Sequence, residues 1–241
     1  MWTPTALASE FRPYTHDGWR VVEAQHRIST NRLASNSADQ ARLEELAEAA
    51  KPDLPKAARG KHYLIASPFR YGHNVASRFR KADERPGIFY ASEHEATAIA
   101  ETAYWRLRFF SRSPGFVPPS TTSEHLSFKV NIKAKRALDL TRRPFVAEAA
   151  KWNDPLDYTA CQHLAGAARV AVAQLIRSTS VRDPKARANV AIFDSAAITS
   201  DAPSYGKTWH FRFEQGRLNA LAAFPGDDQY SFDAAGFGLG G

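Results

Sequence analysis

The block from Phe69 to Arg108, FRYGHNVASRFRKADERPGIFYASEHEATAIAETAYWRLR, gathers residue types that can do chemistry. Glu101 stands in Ala96-Thr-Ala-Ile-Ala-Glu101-Thr-Ala, a run of small residues that signals close helix packing. Carboxylates are rarely buried unpaired, so Glu101 either meets a cation or a ligand hydroxyl at the edge of a cleft, or faces solvent from the far side of its helix. Tyr90 ends a short apolar run eleven positions earlier, where a strand end and a following helix can set a ring and a carboxylate around one pocket; the alternative is a plain core aromatic. Arg70, Arg78 and Arg80 are interleaved with Phe69, Tyr71 and Phe79. Guanidinium forks grip phosphates bidentately, and aromatic faces stack on planar heterocycles. The set suits a small ligand that carries both a pyrophosphate and flat rings.

These residues need elements to hold them. Gly60–Ser67 reads as a strand, and Gly87–Ala91 as a short buried strand running into Ser92-Glu-His-Glu95, a capping box that opens a helix to about Arg108. A second capping box, Ser37-Ala-Asp-Gln40, predicts a helix ending near Lys51, before Pro52. Leu126–Ile132, Ala137–Leu140, Gln174–Arg177, Asn189–Phe193 and Thr208–Phe213 read as strands, the last presenting Trp209, Phe211 and Phe213 on one face. Pro155–Ala173 predicts an amphipathic helix with Leu156, Cys161, Leu164 and Ala168 on one side. The chain up to about Asn36 reads as irregular, anchored by Trp2, Trp19, Val21 and Val22, and Gly236–Gly241 as a frayed tail. Scattered strands with a few helices imply an α+β fold. The expected organisation is an N-terminal extension over 1–60, a core domain over 61–225 and a flexible tail over 226–241.

Of 241 residues, 32 are Lys or Arg and 25 Asp or Glu, a net charge of +7. The excess sits in residues 51–150, with 18 basic against 9 acidic side chains, while residues 151–241 hold 9 of each. A basic middle on a neutral frame attracts anions: a nucleotide, nucleic acid or an acidic partner. A single cysteine, Cys161, excludes an internal disulfide and a Cys-based zinc cluster, and its place on an apolar helix side reads as core. There is no phosphate loop, no G-x-G-x-x-G after a strand, no H-E-x-x-H and no G-x-S-x-G. No metal site is expected. With neither a signal peptide pattern nor a run of membrane-spanning length, the expected location is the cytoplasm. A basic nucleic-acid-binding module or nuclease would use the same arginines on phosphates and aromatics on bases. No helix-turn-helix or ribonucleoprotein motif accompanies them, and Glu101 would repel a phosphate backbone.

The motifs R-Y-G (Arg70-Tyr71-Gly72), S-R-F-R (Ser77–Arg80), P-G-I-F-Y-A-S-E (Pro86–Glu93) and T-A-I-A-E-T-A (Thr97–Ala103) resemble the RES domain of bacterial RES–Xre toxin–antitoxin modules. The resemblance is tight over 60–110 and 174–194 and looser elsewhere. It implies that the arginine, glutamate and serine that name the family are Arg78, Glu101 and Ser180, the last in I-R-S-T-S-V-R-D; Arg70 and Arg80 remain alternatives for the arginine and Ser178 for the serine. It further implies an ADP-ribosyltransferase-like fold, with a mixed or antiparallel β core flanked by helices, that consumes NAD⁺ as substrate without a metal. Glu101 would bind the ribose 2′-hydroxyl and offset oxocarbenium charge, and Tyr90 would flank the nicotinamide. Arg78 with Arg70 would anchor pyrophosphate, with Tyr71 beside them, and Ser180 would bind ribose or orient Glu101. The implied activity is that of a type II toxin transferring ADP-ribose to a protein acceptor, or else an NAD⁺ glycohydrolase or phosphorylase. The implied partner is an Xre-family antitoxin, with no direct nucleic-acid or membrane contact.

Overall fold

The computed structural model describes residues 2–24, 35–112, 115 and 121–239. Its centre is one mixed, mostly antiparallel sheet of eight strands. In chain order these are β1 (Arg12–Glu23), β2 (Phe89–Ser92), β3 (Ser123–Asp139), β4 (Leu175–Thr179), β5 (Ala188–Ile192), β6 (Ser204–Glu214), β7 (Arg217–Ala222) and β8 (Gln229–Asp233). The helices are α1 (Pro4–Ala8), α2 (Ser37–Ala49), α3 (Tyr63–Arg70), α4 (Glu95–Ser111), α5 (Ala149–Trp152) and α6 (Thr159–Val170). The α+β class expected from the sequence is the one observed.

The long strand β3 organises the sheet. One of its edges pairs with β1 along nearly its whole length, from Arg12↔Ala137 to Glu23↔His125. The other edge divides: its N-terminal half pairs with β6, and Ala137–Asp139 pair in parallel with β4. Because β1 also touches β2 at Trp19↔Ser92, strands β1, β2, β5, β4 and β3 close into a ring, from which β6, β7 and β8 extend. Closure packs side chains onto the Gly18 backbone, where a Cβ would stand 2.4 Å from Ile132 Cδ1 and 3.0 Å from Ala91 Cβ. Three apolar clusters fill the layers. Phe69, Phe89, Phe128 and Ile192 pack under α3; Leu164, Ala168, Ile176 and Phe193 under α6; Ile99, Tyr104, Trp209 and Phe211 between α4 and β6–β8.

Several elements depart from the sequence reading. Gly60–Ser67 was expected as a strand, but Tyr63–Arg70 is helix α3, capped where His62 Nδ1 accepts from the Leu64 amide (3.3 Å). Ile65, Ala66 and Phe69 are its buried residues, a helical and not an alternating spacing. The N-terminal stretch expected to be irregular contains α1 and β1; its residues 25–34 lie outside the described residues, as do Gly240 and Gly241 of the tail. Both helix caps are shifted. Asn36, not Ser37, caps α2, and α4 begins at Glu95 while Ser92 ends β2. Leu156 lies before α6 and is exposed, whereas Cys161, Leu164 and Ala168 are buried as expected. Residues 226–241, expected as a flexible tail, include strand β8, and Phe237 is buried against Phe232 and Tyr104. The strands expected over 126–132 and 137–140 are one strand, β3.

Candidate active site

A cleft of about 1060 Å³ opens between α3, α4, the ends of β1 and β2, and the loop 73–80. It lies just above the roughly 300–1,000 Å³ typical of small-molecule sites. The amphipathic split of α4 explains how a carboxylate reaches it. Ile99, Ala100, Ala103 and Leu107 pack on β6–β8, which turns Ala98, Glu101, Thr102 and Trp105, spaced i, i+3, i+4, i+7, to the cleft.

Glu101 is held from two other strands. Its Oε1 accepts from Ser180 Oγ (2.6 Å), just beyond β4, and from Asn189 Nδ2 (2.5 Å) on β5. Asn189 is itself oriented by Ser92 Oγ, which donates to its Oδ1 (2.7 Å). The Ser180 oxygen accepts from the amides of Arg182 (3.3 Å) and Asp183 (3.1 Å). Asp183 anchors that turn: its carboxylate accepts from Thr97 Oγ1 on α4 (2.6 Å) and from the Arg187 fork (2.6 and 3.0 Å). Burial works to raise the Asp183 carboxyl, but the bonds from Arg187 and Thr97 outweigh it and hold the group down at about 2. Both bonds to Glu101 fall on Oε1, so among the described residues Oε2 receives none. A carboxylate fixed on one oxygen and open on the other is suited to accept a ligand hydroxyl or to face developing positive charge.

Two arginines and two tyrosines form a ladder along one wall. The Arg78 guanidinium carbon lies 4.7 Å from the centre of the Tyr158 ring, and Arg182 lies 3.7 Å from that of Tyr104. Arg182 Nη2 also donates to Tyr158 Oη (3.3 Å) and to the Pro155 carbonyl. Arg78 Nη1 donates to the carbonyls of Trp152 (2.7 Å) and Asp154 (2.9 Å). Such stacking fixes guanidinium planes while leaving edge donors for an anion. Burial pushes the Tyr104 hydroxyl pKa up, with Tyr158 adding to it, and also raises that of Tyr90.

Tyr90 lines the cleft, but its hydroxyl is bound to Ser77 Oγ (2.8 Å) and the Phe79 amide (3.1 Å). What it presents is ring surface, and it holds the loop that carries Arg78. Gly87 permits this arrangement, since a Cβ there would meet the carbonyl oxygens of Pro68 at 2.0 Å and Tyr71 at 2.5 Å. Tyr71 also lines the cleft.

Glu101, Arg78, Tyr90, Tyr71 and Ser180, expected together from the sequence, thus converge. Arg70 does not. It ends α3 and its Nη1 donates to Glu48 Oε1 of α2 (2.6 Å), and it is no part of the cleft lining among the described residues. Arg80 is a loop organiser, buried with its guanidinium donating to the carbonyls of His73 (2.8 Å), Val75 (2.6 Å) and Lys81 (2.9 Å). Ser178 is buried in β4 opposite Asn189, while Ser180 makes the bond to Glu101. Sequence reasoning missed Asn189, Ser92, Arg182, Tyr104 and Tyr158. Asn189, a lone amide in the apolar run Ala188–Phe193, carried a signal; the tyrosines carried none beyond their type. Among the described residues no group of three or more His, Cys, Asp or Glu is placed to hold a metal ion, and no helix is long and apolar enough to cross a membrane.

A family model of the RES domain matches residues 54–214, more than half of the chain. The chain belongs to the RES domain family. Among solved structures it is similar to a chain of the M. tuberculosis MbcT–MbcA toxin–antitoxin complex, at 11% identity and a TM-score of 0.46, covering 85% of this chain and 91% of that one. No protein of curated function matches it. The RES span holds Arg78, Tyr90, Glu101, Ser180, Arg182 and Asn189, whereas β1 precedes it and still lines the cleft.

Proposed function

We propose that this RES domain cleaves NAD⁺ at the nicotinamide–ribose bond and transfers ADP-ribose to a protein acceptor, acting as the toxin of a type II toxin–antitoxin pair in the cytoplasm. The observation that supports it most is Glu101, fixed through Oε1 by Ser180 and Asn189 and open at Oε2, in a cleft walled by arginines and tyrosines. The family resemblance supplies the substrate class.

The chemistry asks little of the protein. Nicotinamide leaves C1′ by taking the electron pair of the breaking C–N bond, which neutralises its ring, so no general acid is needed. The transition state carries positive charge on the ribose, which a fixed carboxylate stabilises. Glu101 Oε2 accepts from the ribose 2′-hydroxyl, Tyr90 offers a face to the nicotinamide, and the guanidinium of Arg78 meets the pyrophosphate. The acceptor's lone pair then forms the new bond to C1′, and its proton goes to solvent. An Xre-family antitoxin with an acidic segment would occlude such a basic cleft, and co-expression is expected to relieve growth arrest.

The test is nicotinamide release from NAD⁺ by the pure protein, with and without lysate. Turnover by the wild type and a loss of roughly 100-fold or more in Glu101→Gln is expected; a variant as fast as wild type overturns the assignment. A labelled protein band marks transfer to protein, while nicotinamide without one marks hydrolysis or phosphorolysis instead. Salt-sensitive retention on nucleic acid with no NAD⁺ turnover would replace this reading with the nucleic-acid one.

A further inference from the structure

The C-terminal half of α4 meets the sheet through a three-way contact outside the catalytic set. Arg106 of α4 faces Glu23 of β1 and His125 of β3, which lie opposite one another in register. Its Nη1 stands 3.4 Å from His125 Nε2 and 3.6 Å from Glu23 Oε2. Its Nε is closed off from solvent and, among the described residues, has no partner. His125 is buried, with its ring 4.4 Å from that of Phe211 and its Nδ1 3.3 Å from the Ser123 carbonyl oxygen.

These partners fix the protonation of the ring. A guanidinium can only donate, so Nε2 presents its lone pair to Arg106; a carbonyl can only accept, so Nδ1 carries the hydrogen. His125 is therefore the neutral Nδ1–H tautomer. A proton added at Nε2 turns the acceptor into a donor and sets two cations against each other in a site shut off from water. The charged groups that act on the ring are Arg106 from α4 and Glu23 from β1, while β6 offers the uncharged Trp209 and Phe211. Burial first, and then Arg106, hold His125 below the ordinary value of 6.5, and the exposed Glu23 opposes them too weakly to reverse the shift.

We propose that His125 is an acid-operated latch on α4: neutral, it accepts from Arg106 and holds the helix onto β1 and β3; protonated, it repels Arg106 and loosens that half of the helix from the sheet. The effect reaches the cleft because the same elements line it. Trp105 directly precedes Arg106 and Glu101 lies five residues before it, while Val22, Glu23 and Ala24 line the cleft from β1. The latch thus sets how firmly the wall that bears Glu101 is held, whatever ligand the cleft takes. The folded-state pKa lies below the unfolded one, so the latch is intact above pH 6.5 and its contribution is lost as pH falls from there through the folded-state value.

The experiment is hydrogen exchange of the full chain at about pH 7.5 and about pH 5, corrected for the intrinsic rate and read by mass spectrometry. Wild type is compared with His125→Gln, which keeps an acceptor for Arg106 and does not titrate. On acidification, amide protection of α4 beyond Glu101 and of β1 from Trp19 to Glu23 is expected to fall about 10-fold in wild type, the factor that one unit of pKa depression carries, and by no more than about twofold in the variant. Equal loss in both proteins overturns the proposal, as does no loss in wild type or a loss as large in β4 and β5, which marks general acid unfolding. A second measurement follows the His125 ring by NMR. Its titration midpoint is expected to rise toward 6.5 in Arg106→Met, which removes the opposing charge, and to fall in Glu23→Gln, which removes the favouring one. Midpoints that stay put or move the other way overturn the proposal, and this titration decides alone should His125→Gln not fold. Neither readout involves NAD⁺, so a chain that releases no nicotinamide yet shows both changes loses the NAD⁺-cleavage reading and keeps the latch.

Discussion

At the scale of single residues, the site is a matter of which atom of Glu101 is used for what. Two donors on Oε1 fix the carboxylate and, among the described residues, leave Oε2 free, a geometry that a solitary glutamate on a helix does not have. Asn189 is therefore a positioning residue, acting through Glu101. Asn189→Ala is expected to lower kcat for nicotinamide release about 10–100-fold with a smaller change in KM, because the carboxylate is misplaced and not removed. Steady-state kinetics decide it: a pure KM effect would contradict that role. Asp183 gives a pH signature. Its folded-state pKa is depressed to about 2, so its stabilisation is present above the ordinary carboxylate value of 3.8 and is lost as pH falls from there through about 2. Acid unfolding followed by circular dichroism should show a transition in that window. Asp183→Asn, which cannot lose a charge there, should flatten it.

At the scale of elements, the ring closed by β1 is the unexpected part of the fold. A side chain at position 18 has no room between Ile132 and Ala91, so Gly18→Val is expected to cost about 1–3 kcal/mol or more through overpacking, read by urea denaturation. No loss would mean that β1 can lift from the ring without consequence. The same strand shows where the sequence was and was not legible. Strands with a clear alternation, such as Trp209–Phe211–Phe213, and helices with one apolar side, such as Cys161–Leu164–Ala168, could be read directly. β1 could not, because Arg12–Glu23 mixes polar and apolar residues on both faces, a pattern that makes sense only once its C-terminal end lines a cleft. Tyr63–Arg70 misled through its β-prone Tyr-Leu-Ile, where the long-range packing of Ile65, Ala66 and Phe69 overrode local preference. Within the site, Glu101, Arg78, Tyr90 and Ser180 were legible through the family motifs. Arg70 was misplaced because its charge is answered by Glu48 of α2, a partner far from it in sequence, while the adjacent Tyr71 lines the cleft.

At the scale of the molecule, the net charge of +7 is less informative than its partners. Many of the basic side chains behind it are paired locally, as in Lys129–Asp17, Arg177 with Glu93 and Asp139, and Arg187–Asp183. What distinguishes the cleft is cations held by carbonyls and rings, whose charge is left for a ligand. The Glu101 clamp has one more consequence, in time instead of space. Its donors lie 79 and 88 residues downstream of the carboxylate, on segments made well after α4. A ribosome translating this chain therefore cannot release a competent site until β5 has been synthesised and has emerged. Under the proposed activity, the nascent chain stays innocuous through most of its own production. A stop codon anywhere before Asn189 should yield a product that cells tolerate without any partner, and growth of cells expressing such truncations, set beside the full-length chain, measures it.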